Sequence, residues 1–409
     1  LVANNAYDKR VNLWWDKSTA TDFDHYNIYL NKTEMVDVTG MKAIQQIKDI
    51  ATCRYQVTEL EDGTRYYFAV TAVDKSGNEG VHLASVSGTP VQMPRGTKDP
   101  DISVDTYQAE MAWAGTTLLP DNHDGTKPRI IEVNMLGEVV WQYLVPQNLR
   151  RSDRPGSGIN PGFDVELLPN NNILFVSPGN GVHEIDRKGN IVWSYSDRKV
   201  SHDADRLPNG NTLIAFGDFD QKNDAQVKEV NPKGEVVWAW YAKDHFDKPP
   251  YNSIFNEGWT HTNAVSRLPN GNTLISLRNF NLVVEVDSKG MVVRTYGEGI
   301  FKDQHDPEML PDGNILVANH GLPHRAIEID PKTGKIVWQS PGFAQDNIPV
   351  RDANRLLNGN TLVTGTTEIV EVTPKGEIVW RLRLQGVSFT QQEAAGRGFY
   401  KADRISAQK

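Results

Sequence analysis

Apolar and polar residues alternate along the second half of the chain in a phrase that returns several times. The phrase is clearest at residues 201–214, SHDADRLPNGNTLI, and variants of it occupy residues 163–174, 263–275, 305–316 and 351–362. Each variant has Pro, Asn or Gly between two alternating segments, and these residues preset or permit the backbone angles of a tight turn. The pattern therefore predicts one β-hairpin in each copy.

A second phrase follows each copy, as in VKEVNPKGEVVWAW at residues 227–240. Its turn lies at Lys-Gly or Lys-Thr-Gly, so it predicts a second hairpin. Two hairpins give four strands in a period of roughly 40 to 60 residues, which is typical of propellers and solenoids. No repeat contains a long helical pattern, and we therefore predict four-stranded propeller blades.

A degraded copy at residues 112–143 brings the predicted number of blades to six. Residues 398–406, GFYKADRIS, are expected to form a closing strand that returns to this first blade. The predicted fold is all-β, with a six-bladed β-propeller over residues 101–409. Tryptophans at equivalent places in the second phrases are expected to pack between blades, namely Trp141, Trp193, Trp238, Trp338 and Trp380.

Residues 1–92 contain no copy of the repeat and read as a separate β-sandwich. The stretch YQVTELEDGTRYYFAVTAVDKSGNEG at residues 55–80 resembles the fibronectin type III family, in which a Leu precedes a Gly-Thr-x-Tyr corner. The resemblance implies a seven-stranded sandwich that has Trp14 or Trp15 in its core and acts as a spacer or docking unit. Residues 93–100 are polar, contain Pro and Gly, and are expected to be a linker.

Composition excludes some classes of partner. The net charge of -9 argues against a nucleic-acid partner or an anionic membrane surface, and no apolar run approaches membrane-spanning length. Cys53 is the single cysteine, so no internal disulfide is possible. Oligomeric state and a removed signal peptide stay open.

Alignment of the repeats predicts which side chains meet. Six residues before the turn proline, or its equivalent, the copies carry Phe163, His202, Asn263, His305 and Arg351. If the first phrase is the innermost strand of each blade, these residues ring one mouth of the central channel. His261 shares the face of Asn263 because side chains alternate along a strand. His320 and His324, in the segment NHGLPHR that ends at Arg325, either reach the same mouth or decorate a loop.

Clustered histidines suit three chemistries. His202, His261 and His305 with Asp203 or Asp306 could hold a metal, but no established metal-binding spacing supports this, and we expect none. Acid–base catalysis needs a histidine that titrates near neutrality. Nucleophilic catalysis needs an exposed imidazole and cations for the transferring anion. Arg278 lies on the following strand, so we favour the third chemistry and a pocket for sulfate or phosphate esters.

Three motifs carry a family resemblance. A Gln-His pair ends at His305, a His-x-Asn motif starts at His261 and is followed by Arg278, and a His-Asp pair starts at His202. In these motifs and their order, the propeller resembles the arylsulfate sulfotransferase family of six-bladed propellers. The chain departs from that family in its fibronectin-like module, its lone cysteine, and an Asn-His-Gly phrase ending at Gly321 in place of Asp-Asn-Gly.

The resemblance implies PAPS-independent transfer of a sulfuryl group from an aryl sulfate to a phenol, without a cofactor. His305 would attack sulfur and become sulfohistidine, and His202, His261 and Arg278 would stabilise the moving charge. The expected substrate contacts are Asn263, Arg351, His320 and Arg325. An extracellular or periplasmic location is expected. Two alternatives stay open: an extracellular polysaccharide-binding or polysaccharide-lyase propeller, and a non-catalytic adaptor.

Overall fold

The computed structural model describes residues 1–150, 164–343, 348–387, 389 and 397–407, and their regular secondary structure is almost entirely β-strand. Phe163, one of the aligned positions, lies outside the described residues. The helical segments are short: α1 (Lys243–Phe246) and the 3-10 turns Gln147–Leu149, Tyr251–Ser253 and Arg278–Phe280.

The N-terminal domain is a sandwich of two antiparallel sheets. Its strands are β1 (Val2–Asn4), β2 (Val11–Trp14), β3 (Phe23–Asn31), β4 (Gln45–Ile47), β5 (Arg54–Val57), β6 (Tyr66–Asp74) and β7 (Val86–Gly88). One sheet has the order β1-β2-β5 and the other β4-β3-β6-β7, which confirms the seven-stranded prediction. Trp15 is the core tryptophan, because it packs with the sandwich core and edge-on to Tyr26 at 5.5 Å.

Six further antiparallel sheets are the blades of a β-propeller, as the repeats predict. Blade 1 contains β10 (Gly115–Asp121), β11 (Arg129–Val133) and β12 (Glu138–Leu144). Blade 2 contains β13 (Val165–Leu167), β14 (Ile173–Ser177), β15 (Gly181–Ile185) and β16 (Ile191–Ser196). Blade 3 contains β17 (Ala204–Arg206), β18 (Thr212–Ala215), β19 (Val227–Val230) and β20 (Val236–Trp240).

The remaining blades follow the same plan. Blade 4 contains β21 (Thr262–Arg267), β22 (Thr273–Leu277), β23 (Leu282–Val286) and β24 (Val292–Tyr296). Blade 5 contains β25 (Gln304–Met309), β26 (Ile315–Asn319), β27 (Arg325–Asp330) and β28 (Lys335–Gln339). Blade 6 contains β29 (Val350–Arg355), β30 (Thr361–Gly365), β31 (Glu368–Val372) and β32 (Ile378–Leu384).

Three additional strands tie the ends of the propeller together. They are β8 (Thr97–Lys98), β9 (Ile102–Tyr107) and β33 (Asp403–Ser406). β33 pairs with β10 and becomes the first strand of blade 1, as expected of the closing segment. β8 pairs with the outer strand of blade 1, so part of the predicted linker is a blade edge, and β9 adds a fifth strand to blade 6.

Apolar packing runs around the propeller from blade to blade. Six clusters of buried residues each join two consecutive blades, and one of them joins blade 6 to blade 1. The outer-strand tryptophans pack as predicted under arginines of the next blade, as Trp193 does under Arg206 at 4.8 Å. In blade 3 Trp238 lies under Arg267, but Trp240 makes the indole hydrogen bond to the next blade, at the carbonyl of Gly290.

The sandwich docks directly on the propeller. The Asn4 amide donates to the carbonyl of Ala114 (3.1 Å) and accepts from its N–H (2.8 Å). Trp14 packs against Trp113 with ring centroids 5.6 Å apart. The domain is therefore fixed to blade 1 by buried contacts.

Candidate active site

The first strands of neighbouring blades contact one another along the channel, and several are irregular where the candidate residues lie. A bulge interrupts β21 at Asn263, β25 just after His305, and β29 at Arg351. A bulge re-aims a side chain that would otherwise follow the pleat. These strands therefore turn their site residues out of the regular alternation.

Four histidines meet at this place. The ring of His202 lies 5.3 Å from that of His261 and 6.4 Å from that of His305. His320, at the end of β26, stacks on His305 at 4.9 Å. The structure thus brings together imidazoles from blades 3, 4 and 5, and it settles that His320 reaches the cluster rather than decorating a loop.

Tyr400 lies beside these four histidines, and the sequence analysis missed it. Its ring stacks on His202 at 5.4 Å, approaches His305 at 6.0 Å, and lies 5.2 Å from the Arg351 guanidinium. The residue is 4% exposed, and its hydroxyl has no hydrogen-bond partner among the described residues. Burial raises the pKa of Tyr400, so the hydroxyl stays protonated and is available as a donor.

Two arginines supply positive charge. Arg278 starts the 3-10 turn after β22, and its Nε lies 4.0 Å from the Asp303 carboxylate. Arg351 is 1% exposed, and its guanidinium donates to the carbonyls of Arg397 (3.1 Å) and Phe399 (2.8 Å). Arg351 therefore secures the segment that delivers Tyr400, in addition to placing a cation beside the histidines.

The histidines are held neutral. Burial, with the charge of Arg278, lowers the pKa of His261 to about 3. Burial, with Arg351 and Arg278, lowers the pKa of His320 to about 3. Burial also lowers the pKa of His202 and His305 well below the usual range. Neutral imidazoles carry a lone pair at neutral pH, which nucleophilic attack requires.

The orientation of His305 leaves the lone pair on its second ring nitrogen, Nε2. Its Nδ1 lies 2.9 Å from the carbonyl oxygen of Asp303, which can only accept, so Nδ1 carries the proton and Nε2 is basic. The amide nitrogen of the preceding Gln304 donates two hydrogen bonds, one to the hydroxyl of Ser276 and one to the carbonyl of Leu282. The Gln-His pair thus consists of an anchor followed by a candidate nucleophile.

His261 is held by its backbone. It adopts a left-handed φ of 47°, and its N–H donates to the Asp220 carboxylate at 3.0 Å. The same carboxylate accepts from the N–H and the hydroxyl of Thr260. Asp220 therefore fixes the strained entry to β21 and with it the direction of the His261 side chain.

The other predicted contacts occupy different places. Asn263 donates its amide to the carbonyl of Gln304 at 3.0 Å, so it supports the wall next to His305. His324 hydrogen-bonds the carbonyl of His320 through Nδ1. Arg325 opens β27 and its guanidinium lies against Gly342, and the described residues include no contact between it and the four histidines.

The aspartates proposed as companions of the histidines point elsewhere. Asp203 and Asp306 both approach the ammonium group of Lys401, at 2.6 Å and 2.8 Å. No group of three or more His, Cys, Asp or Glu within the described ranges is arranged to hold a metal ion. What the residues do form is a buried cluster of neutral imidazoles, two guanidinium groups and a phenol hydroxyl, which we call the pocket and whose groups suit an oxyanion.

Comparison with known protein families gives one match in the propeller and one in the N-terminal domain. Residues 110–303 match the family Arylsulfotransferase (ASST), and residues 1–86 match the fibronectin type III domain. None of the curated proteins matches the chain. The family match supports an arylsulfotransferase-type function in general terms.

Solved structures resemble the propeller at low sequence identity. A protein of unknown function from Bacteroides caccae is 19% identical, with a TM-score of 0.52 over 71% of this chain and 99% of that one, and this likeness shows the fold alone. A streptogramin B lyase (11% identity, TM-score 0.44) covers 70% of this chain and 89% of its own. Virginiamycin B lyase from Staphylococcus aureus (11% identity, TM-score 0.42) covers the same shares. Among the described residues, no helix has the length and apolar character needed to cross a membrane.

Proposed function

We propose, on the premise that this chain joins a fibronectin type III domain to an arylsulfotransferase-family propeller, that it transfers a sulfuryl group between phenols without a nucleotide donor. The donor is an aryl sulfate and the acceptor is a second phenol. The observation that carries the proposal is the neutral His305, whose Nδ1–H is held by the carbonyl of Asp303 while the rings of His320 and His202 lie 4.9 Å and 6.4 Å from its own ring.

The reaction proceeds in two balanced steps. In the first, Nε2 of His305 forms a bond to sulfur while the bond from sulfur to the phenol oxygen breaks, and the phenolate leaves. In the second, the acceptor phenol loses its proton to solvent and attacks sulfur as a phenolate, and the bond from sulfur to His305 breaks. Two steps through a covalent intermediate replace one direct transfer between two weakly reactive phenols.

The surrounding groups stabilise the moving charge. Arg278 offers guanidinium N–H donors to the sulfuryl oxygens, Arg351 places a second positive charge beside Tyr400, and His261 borders the same space. Tyr400 donates its hydroxyl to an oxygen of the ester, since burial keeps it protonated. An extracellular or periplasmic location is part of this proposal, because fibronectin type III domains are common in such proteins.

The assay is turnover of para-nitrophenyl sulfate with a phenol acceptor. We expect His305→Ala to lose at least about 10³-fold in kcat, as when a nucleophile is removed. His82→Ala is the matched control, because His82 is 88% exposed on the other domain and should leave turnover unchanged. After donor alone, intact mass should show one sulfuryl adduct that maps to His305. Equal turnover by wild type and His305→Ala would refute the proposal.

A second candidate function, glycan binding, is favoured by one observation at the domain junction. A cleft of about 290 Å³ lies there, lined by the indoles of Trp14 and Trp15 and by Asn358, Asn360 and Glu377. Aromatic faces with amide and carboxylate groups suit a sugar ring. A glycan screen of wild type against Trp14→Ala decides this: saturable binding that depends on Trp14 supports it, and no binding overturns it.

A further inference from the structure

A second tier of charged side chains lies directly behind the pocket. Each of four pocket residues is followed in the chain by one charged residue, in the pairs His202–Asp203, His305–Asp306, Arg351–Asp352 and Tyr400–Lys401. We call Lys401 and the four aspartates around it the Lys401 cluster; the aspartates are Asp164, Asp203, Asp306 and Asp352. The pocket and the Lys401 cluster therefore share the same stretches of backbone.

Lys401 sits at the centre of this tier. Its Nζ lies 2.6 Å from Oδ1 of Asp203, 2.8 Å from Oδ1 of Asp306 and 3.2 Å from Oδ1 of Asp164, and its side chain is 12% exposed. The three carboxylates come from three different blades. One ammonium group thus joins parts of the chain that are far apart in sequence.

The aspartates also hold the backbone of neighbouring strands. Three of the four accept a backbone N–H through Oδ2: Asp164 from Ala204 (3.1 Å), Asp203 from Val265 (2.6 Å) and Asp352 from Ala402 (2.9 Å). A shift of any aspartate would consequently move a strand entry next to a pocket residue. The cluster therefore holds in place the backbone that carries the pocket side chains.

Lys401 also changes the balance of charge behind the pocket. Two arginines give the pocket the positive charge an anion needs, yet four carboxylates stand behind it with a single lysine among them. Burial raises the pKa of Asp352 and raises that of Asp203 to about 8, which removes part of that negative charge. Asp306 keeps its charge, because Lys401 lowers its pKa against the effect of burial. Without Lys401, the remaining carboxylates would repel a sulfate ester through a medium of low dielectric constant.

We propose that Lys401 is a positioning residue for the anion pocket, which holds His202, His305 and Tyr400 in place and screens them from the aspartates. The inference rests on the proposed function in one respect, that the ligand of the pocket carries a sulfate-like oxyanion. The inference makes the affinity for the anion depend on Lys401, although Lys401 does not itself react.

The test measures binding of inorganic sulfate to the full chain by titration calorimetry. Lys401→Met should weaken sulfate binding about tenfold or more, because one buried cation is lost next to the pocket. The double variant Lys401→Met/Asp306→Asn removes one cation and one ionised carboxylate together, so it should bind at least threefold more tightly than the single variant. Lys199→Met, a surface lysine paired with Asp224, is the control and should match wild type.

Each outcome decides the question. A purely structural role predicts that the double variant is no better than the single one, and that result would overturn the inference, as would wild-type affinity in Lys401→Met. If Lys401→Met does not fold, the double variant alone is compared with wild type, and a loss above about tenfold overturns the inference. Wild type that binds sulfate but transfers none refutes the transferase alone, whereas wild type that binds no sulfate overturns the role of Lys401.

Discussion

Replacing Tyr400 with Phe removes one hydroxyl and leaves the ring in place. The stacking on His202 and the contact with the Arg351 guanidinium depend on the ring, so both should persist. The hydroxyl itself is buried and has no hydrogen-bond partner among the described residues. The substitution therefore separates what the hydroxyl does for the fold from what it does for a substrate.

The two effects should have opposite signs. A buried polar group without a partner costs about 1–3 kcal/mol, so Tyr400→Phe should raise the free energy of unfolding by about 1 kcal/mol, or leave it unchanged if water reaches the hydroxyl. A hydrogen bond to a charged sulfuryl oxygen contributes about 1.5–3 kcal/mol, and its loss should lower kcat/KM by about 10- to 150-fold. A variant that is as stable as wild type or more so, and clearly less active, is the expected result.

Urea unfolding and steady-state turnover of an aryl sulfate measure the two quantities on one preparation. Tyr143→Phe is a suitable control, since Tyr143 is a half-buried tyrosine on the outer strand of blade 1, packed near Phe175 at 6.0 Å. That control should change neither quantity appreciably. If Tyr400→Phe lost stability while keeping full turnover, the hydroxyl would be a structural donor and the reasoning would be wrong.

Three further expectations follow from named contacts. Arg278→Met should lower kcat/KM by about 10- to 100-fold in the same assay, whereas the exposed Arg294→Met on blade 4 should not, and equal losses would contradict a specific role. Burial lowers the pKa of His320 to about 3, so the stability its neutral form contributes is full above the unfolded value near 6.5 and is lost as pH falls towards 3. His320→Gln should therefore reduce the drop in unfolding free energy between pH 7.5 and 5.5 by about 1.4 kcal/mol, measured in urea, and an unchanged drop would contradict the low pKa. Asn4→Ala breaks two buried hydrogen bonds to Ala114 and should weaken domain docking by about 2–3 kcal/mol, seen in calorimetry as an earlier separate transition; one unshifted transition would count against it.

The blades were predictable because their information is local and repeated. In each hairpin, apolar and polar residues alternate on both sides of a turn, and the turn contains residues that suit its backbone angles. Once the copies are aligned, equivalent positions in different blades must share one end of the channel. That argument alone brought His202, His261 and His305 together, although they are separated by as many as 103 residues in the chain.

What the sequence could not indicate depends on departures from the repeat. The bulges in β21, β25 and β29 change which side chains face the channel, and no local signal separates His320, which reaches the cluster, from Arg325, which does not. That outcome depends on the loop after β26, where the Asn319 carboxamide accepts the N–H of Lys302 at 2.7 Å. Such a contact belongs to the tertiary structure.

Alignment of the repeats could not identify Tyr400 and Lys401. Both lie in the segment that closes the propeller, and this segment is not repeated. The sequence indicated that this segment returns to blade 1, and β33 does so. A strand that completes the first blade must cross the channel entrance just before it pairs, and residues 400 and 401 lie on that crossing. The cluster around His202 and His305 thus includes a residue of the closing segment, so it is complete only when that segment is in place.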